Sequence, residues 1–217
     1  MEKTVSKSFL LFSIFLLCAS LQFVDVTTAN FLPPSPPTEH VYIKADGTVE
    51  PATIPIERIR NVYTLTEDLL NHTLEVQCDN VVIDGAGFTL KGVGVNAGVT
   101  ISGRKNVTIK NLVIKNYVKS VWMNQSSDNT ISGNTMLTAF NVILDSSVNN
   151  QITGNNITGQ DTGYGYGVQV NSVSFNNTIV GNSFADTGIG VRIENADNNL
   201  VSENRFKRGG TSVLVRG

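Results

Sequence analysis

Cysteine is scarce in this chain: there are two, and Cys18 falls in a leader-like stretch. Removal of that stretch leaves Cys78 alone, so no internal disulfide holds the fold in an oxidising compartment. Long basic runs are missing as well. Sixteen Lys+Arg against 18 Asp+Glu give a formal charge of -2, without the cationic footprint of a nucleic-acid binder. Helical periodicity is absent from about residue 72 onward, where Gly, Asn and Ser separate short apolar segments. The apolar run from Phe9 to Val24 is short against the roughly 20 residues of a membrane span.

That run reads instead as part of an export signal. Lys3 and Lys7 precede it, and "TTA" at 27–29 supplies small residues before a cut after Ala29. Residues 1–29 are therefore expected to be a signal peptide, with an uncleaved anchor as the alternative. Cys18 follows Leu17, where a lipoprotein signal requires a small residue. "FLPPSPP" at 31–37 marks residues 30–40 as a stiff Pro-rich spacer. The expected location is secreted or cell-surface.

What the chain does have is a repeated phrase. "NTISGN" (129–134) recurs as "NQITGN" (150–155), "NTIVGN" (177–182) and "NLVSEN" (199–204), after "NVVIDG" (80–85) and "NVTIKN" (106–111). Its first asparagine falls at 80, 106, 129, 150, 177 and 199, in steps of 21 to 27 residues. A second phrase runs in step with it: "AGVTIS", "SVWMNQ", "NVILDS", "GVQVNS", "GVRIEN" and "SVLVRG". Its alternating apolar residues are the period-two mark of a half-buried strand. A repeat of this length signals a solenoid, in which each unit buries its apolar face on its neighbours.

A leucine-rich repeat is excluded by the lack of fixed leucines and of a helix per unit. A coil of two or three short strands per turn fits, because loops can lengthen at its corners while strands stay in register. Equivalent residues then lie about 4.8 Å apart, and stacked asparagines can hydrogen-bond in ladders. Two ladders are expected, Asn106, Asn129, Asn150, Asn177 and Asn199 in one, and Asn111, Asn134, Asn155, Asn182 and Asn204 in the other. Ile109, Ile131, Ile152, Ile179 and Val201 form an apolar column between them. The coil spans residues 73–217 in about six turns. Residues 41–72 are its N-terminal cap, with a hairpin at Asp46-Gly47 and a helical turn in "TLTEDLL" that places Leu69 and Leu70 over the core.

The "N-x-I-x-G-N" phrase, its spacing, and the entry "VYIKADGTVEP…VYTLT…NVVIDGAGFTL" resemble the right-handed parallel β-helix repeats of the pectin-lyase-like superfamily. The similarity extends over residues 41–217 and is nearest to the NosD-type domain of carbohydrate-binding proteins and sugar hydrolases, including archaeal secreted members. It implies an all-β, right-handed parallel β-helix, and it says little about chemistry.

Chemistry must sit on outward positions. Alternation gives one outward column of Thr100, Trp122, Ile143, Gln169, Arg192 and Leu214, and another of Ser102, Asn124, Asp145, Asn171, Glu194 and Arg216. An aromatic face beside amides, acids and a guanidinium suits a sugar ring. The corner "GQDTGYGYG" (159–167) hangs Tyr164 and Tyr166 beside that face. The expected substrate-binding set is thus Trp122, Asn124, Asp145, Gln169, Asn171, Arg192, Tyr164 and Tyr166, with polysaccharide or cell-surface glycan as partner. A structural spacer whose outward positions are merely polar is the plain alternative.

Catalysis has weaker support. Asp145 and Glu194 are two turns apart, about 9.6 Å by strand spacing, near the ~9.5 Å limit for an inverting carboxylate pair. Arg192 is the basic residue beside them. The polygalacturonase-like "NTD", paired aspartates and "GHG" are missing, and the acids are not clustered as a calcium-assisted lyase requires. The NosD resemblance also raises copper, but His40, His72, Cys78, Met123 and Met136 are scattered, where copper needs grouped soft ligands. No cofactor is expected, calcium being the one candidate. Of five glycosylation sequons, Asn71 and Asn124 are the expected acceptors, since Asn106 belongs to a ladder. The strand at residues 212–217 offers an unpaired edge for end-to-end self-association.

Overall fold

The computed structural model describes residues 38–160, 164–171 and 173–217. The expected signal peptide and most of the expected spacer lie outside the described residues. Described residues are strands and turns, and none is helical.

The chain opens with β1 (Glu39–Ile43), β2 (Val49–Glu50) and β3 (Ile56–Ile59). Each later turn then contributes three strands. The first holds β4 (Val62–Leu65), β5 (Leu69–Leu70) and β6 (His72–Val76), and the second β7 (Val81–Asp84), β8 (Thr89–Lys91) and β9 (Ala97–Ser102). The third holds β10 (Val107–Lys110), β11 (Val113–Lys115) and β12 (Lys119–Asn124), and the fourth β13 (Thr130–Ser132), β14 (Thr135–Thr138) and β15 (Phe140–Asp145). In the fifth come β16 (Gln151–Thr153), β17 (Asn156–Gly159) and β18 (Tyr166–Val170), and in the sixth β19 (Thr178–Val180), β20 (Ser183–Ala185) and β21 (Ile189–Glu194). The last turn is β22 (Leu200–Ser202), β23 (Arg205–Lys207) and β24 (Thr211–Arg216).

Like strands pair in parallel from turn to turn, making three sheets that run the length of the coil. We call them sheet A (β6, β9 through β24), sheet B (β4, β7 through β22) and sheet C (β5, β8 through β23). The result is a parallel β-helix of about seven turns, one more than the six phrases suggest. The extra turn is residues 62–76, of which 62–72 fall in the expected cap. Its phrase carries Tyr63 where later copies carry isoleucine, so it escapes the pattern while pairing in register with Ile83. The helical turn expected in "TLTEDLL" is instead the corner between β4 and β5. Leu69 is buried, but Leu70 points outward and is 53 % exposed.

Closure of the first turn uses antiparallel strands, which cover the edges a solenoid otherwise leaves open. β2 folds back on β1, pairing Ile43 with Val49, so the hairpin at Asp46-Gly47 is present. β3 folds back on β4. Tyr63 Oη and Arg58 Nη1 both donate to the Gly47 carbonyl, at 2.7 and 2.6 Å, and tie the two hairpins together.

The interior is a set of columns. Sheet B stacks Tyr63, Ile83, Ile109, Ile131, Ile152, Ile179 and Val201. Sheet C stacks Leu69, Leu90, Ile114, Met136, Ile157, Phe184 and Phe206. Where large rings fill the corner between sheets C and A, the facing position on sheet A must be small. Gly167 abuts Phe184 and Gly190 abuts Phe206 so closely that neither has room for a Cβ. The two rings stack with centroids 5.0 Å apart.

Two asparagine ladders are present, but each starts one turn later than expected. Asn129 Nδ2 donates to Asn150 Oδ1, Asn150 to Asn177 and Asn177 to Asn199, all at 3.0 Å. Asn134, Asn155, Asn182 and Asn204 do the same at 2.9–3.0 Å. Asn106 and Asn111 stand outside both. In "NVTIKN" the isoleucine is the fourth residue, whereas in "NTISGN" it is the third. The apolar column sets the register, so Ile109 pairs with Ile131 and the asparagines slip by one. Asn106 and Asn111 therefore take the left-handed corner sites, with φ of 54° and 53°, level with Asp128 and Gly133. Asparagine, aspartate and glycine tolerate that backbone. Both residues are exposed, so the sequon at Asn106 is open. Asn71 and Asn124, the expected acceptors, are the half-buried ones, while Asn156 and Asn176 are exposed.

Candidate functional site

Sheet A is the widest face of the coil, and its outward residues line up as the alternation predicts. Thr100, Trp122, Ile143, Gln169, Arg192 and Leu214 are consecutive Cα partners. The register extends this column backward through Glu75 to Tyr42. Beside it run Ser102, Asn124 and Asp145, then Glu194 and Arg216, with Asn171 just beyond β18.

These side chains are not independent. Trp122 Nε1 donates to Asp145 Oδ2 at 2.6 Å, and Asn171 Nδ2 donates to Asp145 Oδ1. Gln169 Nε2 donates to Asn171 Oδ1 at 2.7 Å. Arg192 pairs with Glu194 and lies with its guanidinium carbon 5.2 Å from the Tyr166 ring centre. Tyr166 in turn packs against Phe140 at 5.4 Å. Asn124 is tied more loosely, by a 3.4 Å contact from its Nδ2 to Ser102 Oγ. The structure thus brings together Trp122, Asp145, Asn171 and Gln169 as one network, and Arg192, Glu194 and Tyr166 as a second. Tyr164 is 84 % exposed on the corner before β18. Residues 161–163 of that corner lie outside the described residues.

Two expectations need correction. The Trp122 ring is half-buried, not turned fully to solvent, and the Lys119 ammonium sits 4.6 Å from its centre. Ile143 is outward but only 7 % exposed, with Trp122 and Gln169 in register on either side. The weak acid/base candidates Asp145 and Glu194 each meet neighbouring side chains. Asp145 has both oxygens hydrogen-bonded, and Glu194 is held by Arg192.

A groove of about 420 Å³ opens on the N-terminal side of Trp122. Its cause is local sequence: β9 carries only Ala97 and Thr100 at the positions that line it. Its neighbours carry longer groups, Glu75 and His40 on one flank, Lys119 and Trp122 on the other. His40 Nδ1 and Thr73 Oγ1 are 2.9 Å apart on the first flank. The sequence reading missed His40, Glu75 and Lys119. The alternation in "HTLEV" (72–76) carries the signal for Glu75, but this strand lies at the very start of the expected coil, before the first copy of the repeated strand phrase.

Fold and face together define a parallel β-helix module with a polar, aromatic strip on one sheet. The family model described as "Periplasmic copper-binding protein (NosD)" matches residues 69–216, and the chain belongs to this family. No curated protein and no solved structure matches it.

Copper in the family's description invites a test of the donor set. Met123 and Met136 are fully buried among core side chains, and Cys78 lies in the same core. Burial pushes the Cys78 thiol up, away from the thiolate a metal needs. His40 faces outward beside Tyr42, with which it stacks at 6.0 Å. His72 Nε2 meets Glu39 at 3.1 Å, and its buried Nδ1 has no partner. No group of three or more His, Cys, Asp or Glu able to hold a metal ion occurs among the described residues. The residues present do not fit a copper site of grouped soft ligands.

Proposed function

We propose that this chain is an exported β-helix module that binds polysaccharide on the outer face of sheet A. The observation that supports this reading most is the placement of Trp122. It is the chain's only tryptophan, set half-buried at the edge of a groove, with amides and carboxylates spaced at strand intervals beyond it. A half-buried indole offers apolar area to the C–H face of a sugar at low entropic cost. The periodic polar groups suit a polymer with repeating hydroxyls. The family's periplasmic description is consistent with export.

A glycan panel tests the proposal, followed by titration of any hit against Trp122→Ala and Trp122→Phe. Losing an aromatic anchor typically costs about 2 kcal/mol, roughly thirtyfold in affinity. The alanine variant should show that loss, while phenylalanine retains much of the binding. Unaltered affinity in both variants would remove Trp122 from the site.

A second reading has an observation of its own. β24 leaves Val213 and Val215 exposed, at 39 % and 66 %, and among the described residues no strand pairs with its outer edge. The coil is then an assembly unit that stacks end to end through residues 212–217.

A further inference from the structure

The polysaccharide reading leaves open which sugar the face prefers, and the groove beside Trp122 bears on that. Its flanking strands, β6 and β12, are separated by β9 alone, hence by about 9.6 Å, two strand spacings. With Ala97 and Thr100 as floor, the space left between the flanks is about one pyranose ring wide. Charge is divided across it, Glu75 standing on one wall and Lys119 on the other. Glu75 already accepts Gln77 Nε2 at 2.9 Å. Lys119 makes no ion pair among the described residues; its ammonium rests on the Trp122 ring.

That contact decides the chemistry. A sugar that stacks on Trp122 from the groove competes with the ammonium for the ring. A neutral sugar would leave Lys119 without its cation–π partner and with nothing to replace it. A sugar bearing an acid group replaces the lost contact with a charge-assisted hydrogen bond. Glu75, on the far wall, then accepts from the ring hydroxyls. Resting on the polysaccharide reading, we propose that the groove is a subsite for one anionic sugar residue, its ring on Trp122 and its carboxylate or sulfate on Lys119.

The test is calorimetric titration of the full chain with a polyuronate, a sulfated glycan and a neutral β-glucan of similar length. Wild type, Lys119→Gln and Glu75→Gln are compared after their melting temperatures are confirmed. At least one anionic polymer should bind about tenfold more tightly than the neutral one, and Lys119→Gln should erase that preference. Glu75→Gln should keep it. Whether polyuronate or sulfated glycan binds assigns the acid group. Equal binding of neutral and anionic polymers, insensitive to Lys119→Gln, overturns the anionic subsite and leaves the saccharide face standing. Binding of none of these polymers, nor of any glycan in the wider panel, overturns both.

Discussion

Replacing Asn155 by leucine removes a buried rung of the ladder that runs from Asn134 to Asn204, while keeping nearly the same volume. Asn155 is 2 % exposed. Its Oδ1 accepts from Asn134 N–H at 2.9 Å and from Asn134 Nδ2 at 3.0 Å. Its Nδ2 donates to Asn182 Oδ1 at 2.9 Å and to the Ile131 carbonyl at 2.8 Å. Leucine strands the Asn134 N–H outright and takes one partner from each of four other groups: Asn134 Nδ2, Asn182 Oδ1, the Ile131 carbonyl and the Thr153 carbonyl, which accepts from Asn155 Nδ2 at 3.2 Å. Each buried group left unsatisfied costs about 1–3 kcal/mol, and cooperative chains lose more than single bonds. A loss of about 4 kcal/mol follows, which for a chain of this size lowers Tm by roughly 8–16 °C. Two controls set the scale. Asn124→Leu, on the outer face with its single 3.4 Å contact, should cost under about 1 kcal/mol. Asn106→Leu, exposed at φ 54° and donating one surface hydrogen bond to Asn80 Oδ1, should cost about 1–2 kcal/mol, mainly through backbone strain. Scanning calorimetry on the three variants gives the ranking. Equal shifts for Asn155→Leu and Asn124→Leu would refute the division into inner and outer faces. Asn106→Leu as damaging as Asn155→Leu would refute the one-residue slip.

Gly190→Ala should destabilise by about 1–3 kcal/mol, since its Cβ meets Phe206 and the Ser212 carbonyl; the double variant with Phe206→Leu should recover part of the loss, and an undiminished Tm in the single variant would contradict the corner packing. For the Asp84 carboxyl, burial pushes its pKa up, but hydrogen bonds from Ala86 N–H, Lys110 and Asn111 outweigh that and hold it below the usual value. The contribution is therefore present above about pH 4 and lost as pH falls through the folded-state value, so Asp84→Asn should flatten the acid limb of a stability-versus-pH curve; an unchanged limb would count against it. The assembly reading predicts a mass that rises with concentration in light scattering, and that Val215→Lys suppresses the rise. A constant monomer mass would end that reading.

The fold was legible because the solenoid's physics is written in one dimension. Isoleucine at a fixed place in each phrase specifies a column, and alternation in "SVWMNQ" or "GVRIEN" specifies which residues face out. The outward column from Thr100 to Leu214 needed only that rule. Register within a turn was harder, because two asparagine roles share one letter. Asn129 is a ladder rung and Asn106 is a corner, and only the distance to the isoleucine separates them. The first turn was hidden for a related reason. Tyr63 fills the isoleucine position and Arg60 the left-handed corner, with φ 59°, so "RNVYTLT" shares with "DNTISGN" only one letter, Asn61 against Asn129. His40 fell in the expected spacer, and Glu75 lay in the expected coil but before the first copy of the strand phrase, so one wall of the groove was missed. The committed state of Asp145 was also out of reach, since which neighbours its oxygens meet depends on rotamers and not on spacing.

Emission from Trp122 tests the saccharide face most directly, because no second tryptophan contributes. In the resting protein the half-buried indole, bonded to Asp145 and covered by Lys119, should emit at a wavelength between those of buried and fully solvated rings. Addition of a polysaccharide that binds should shift and quench it saturably, with the same midpoint as calorimetry. A glycan that binds by calorimetry yet leaves Trp122 emission unchanged would place binding elsewhere and contradict the account.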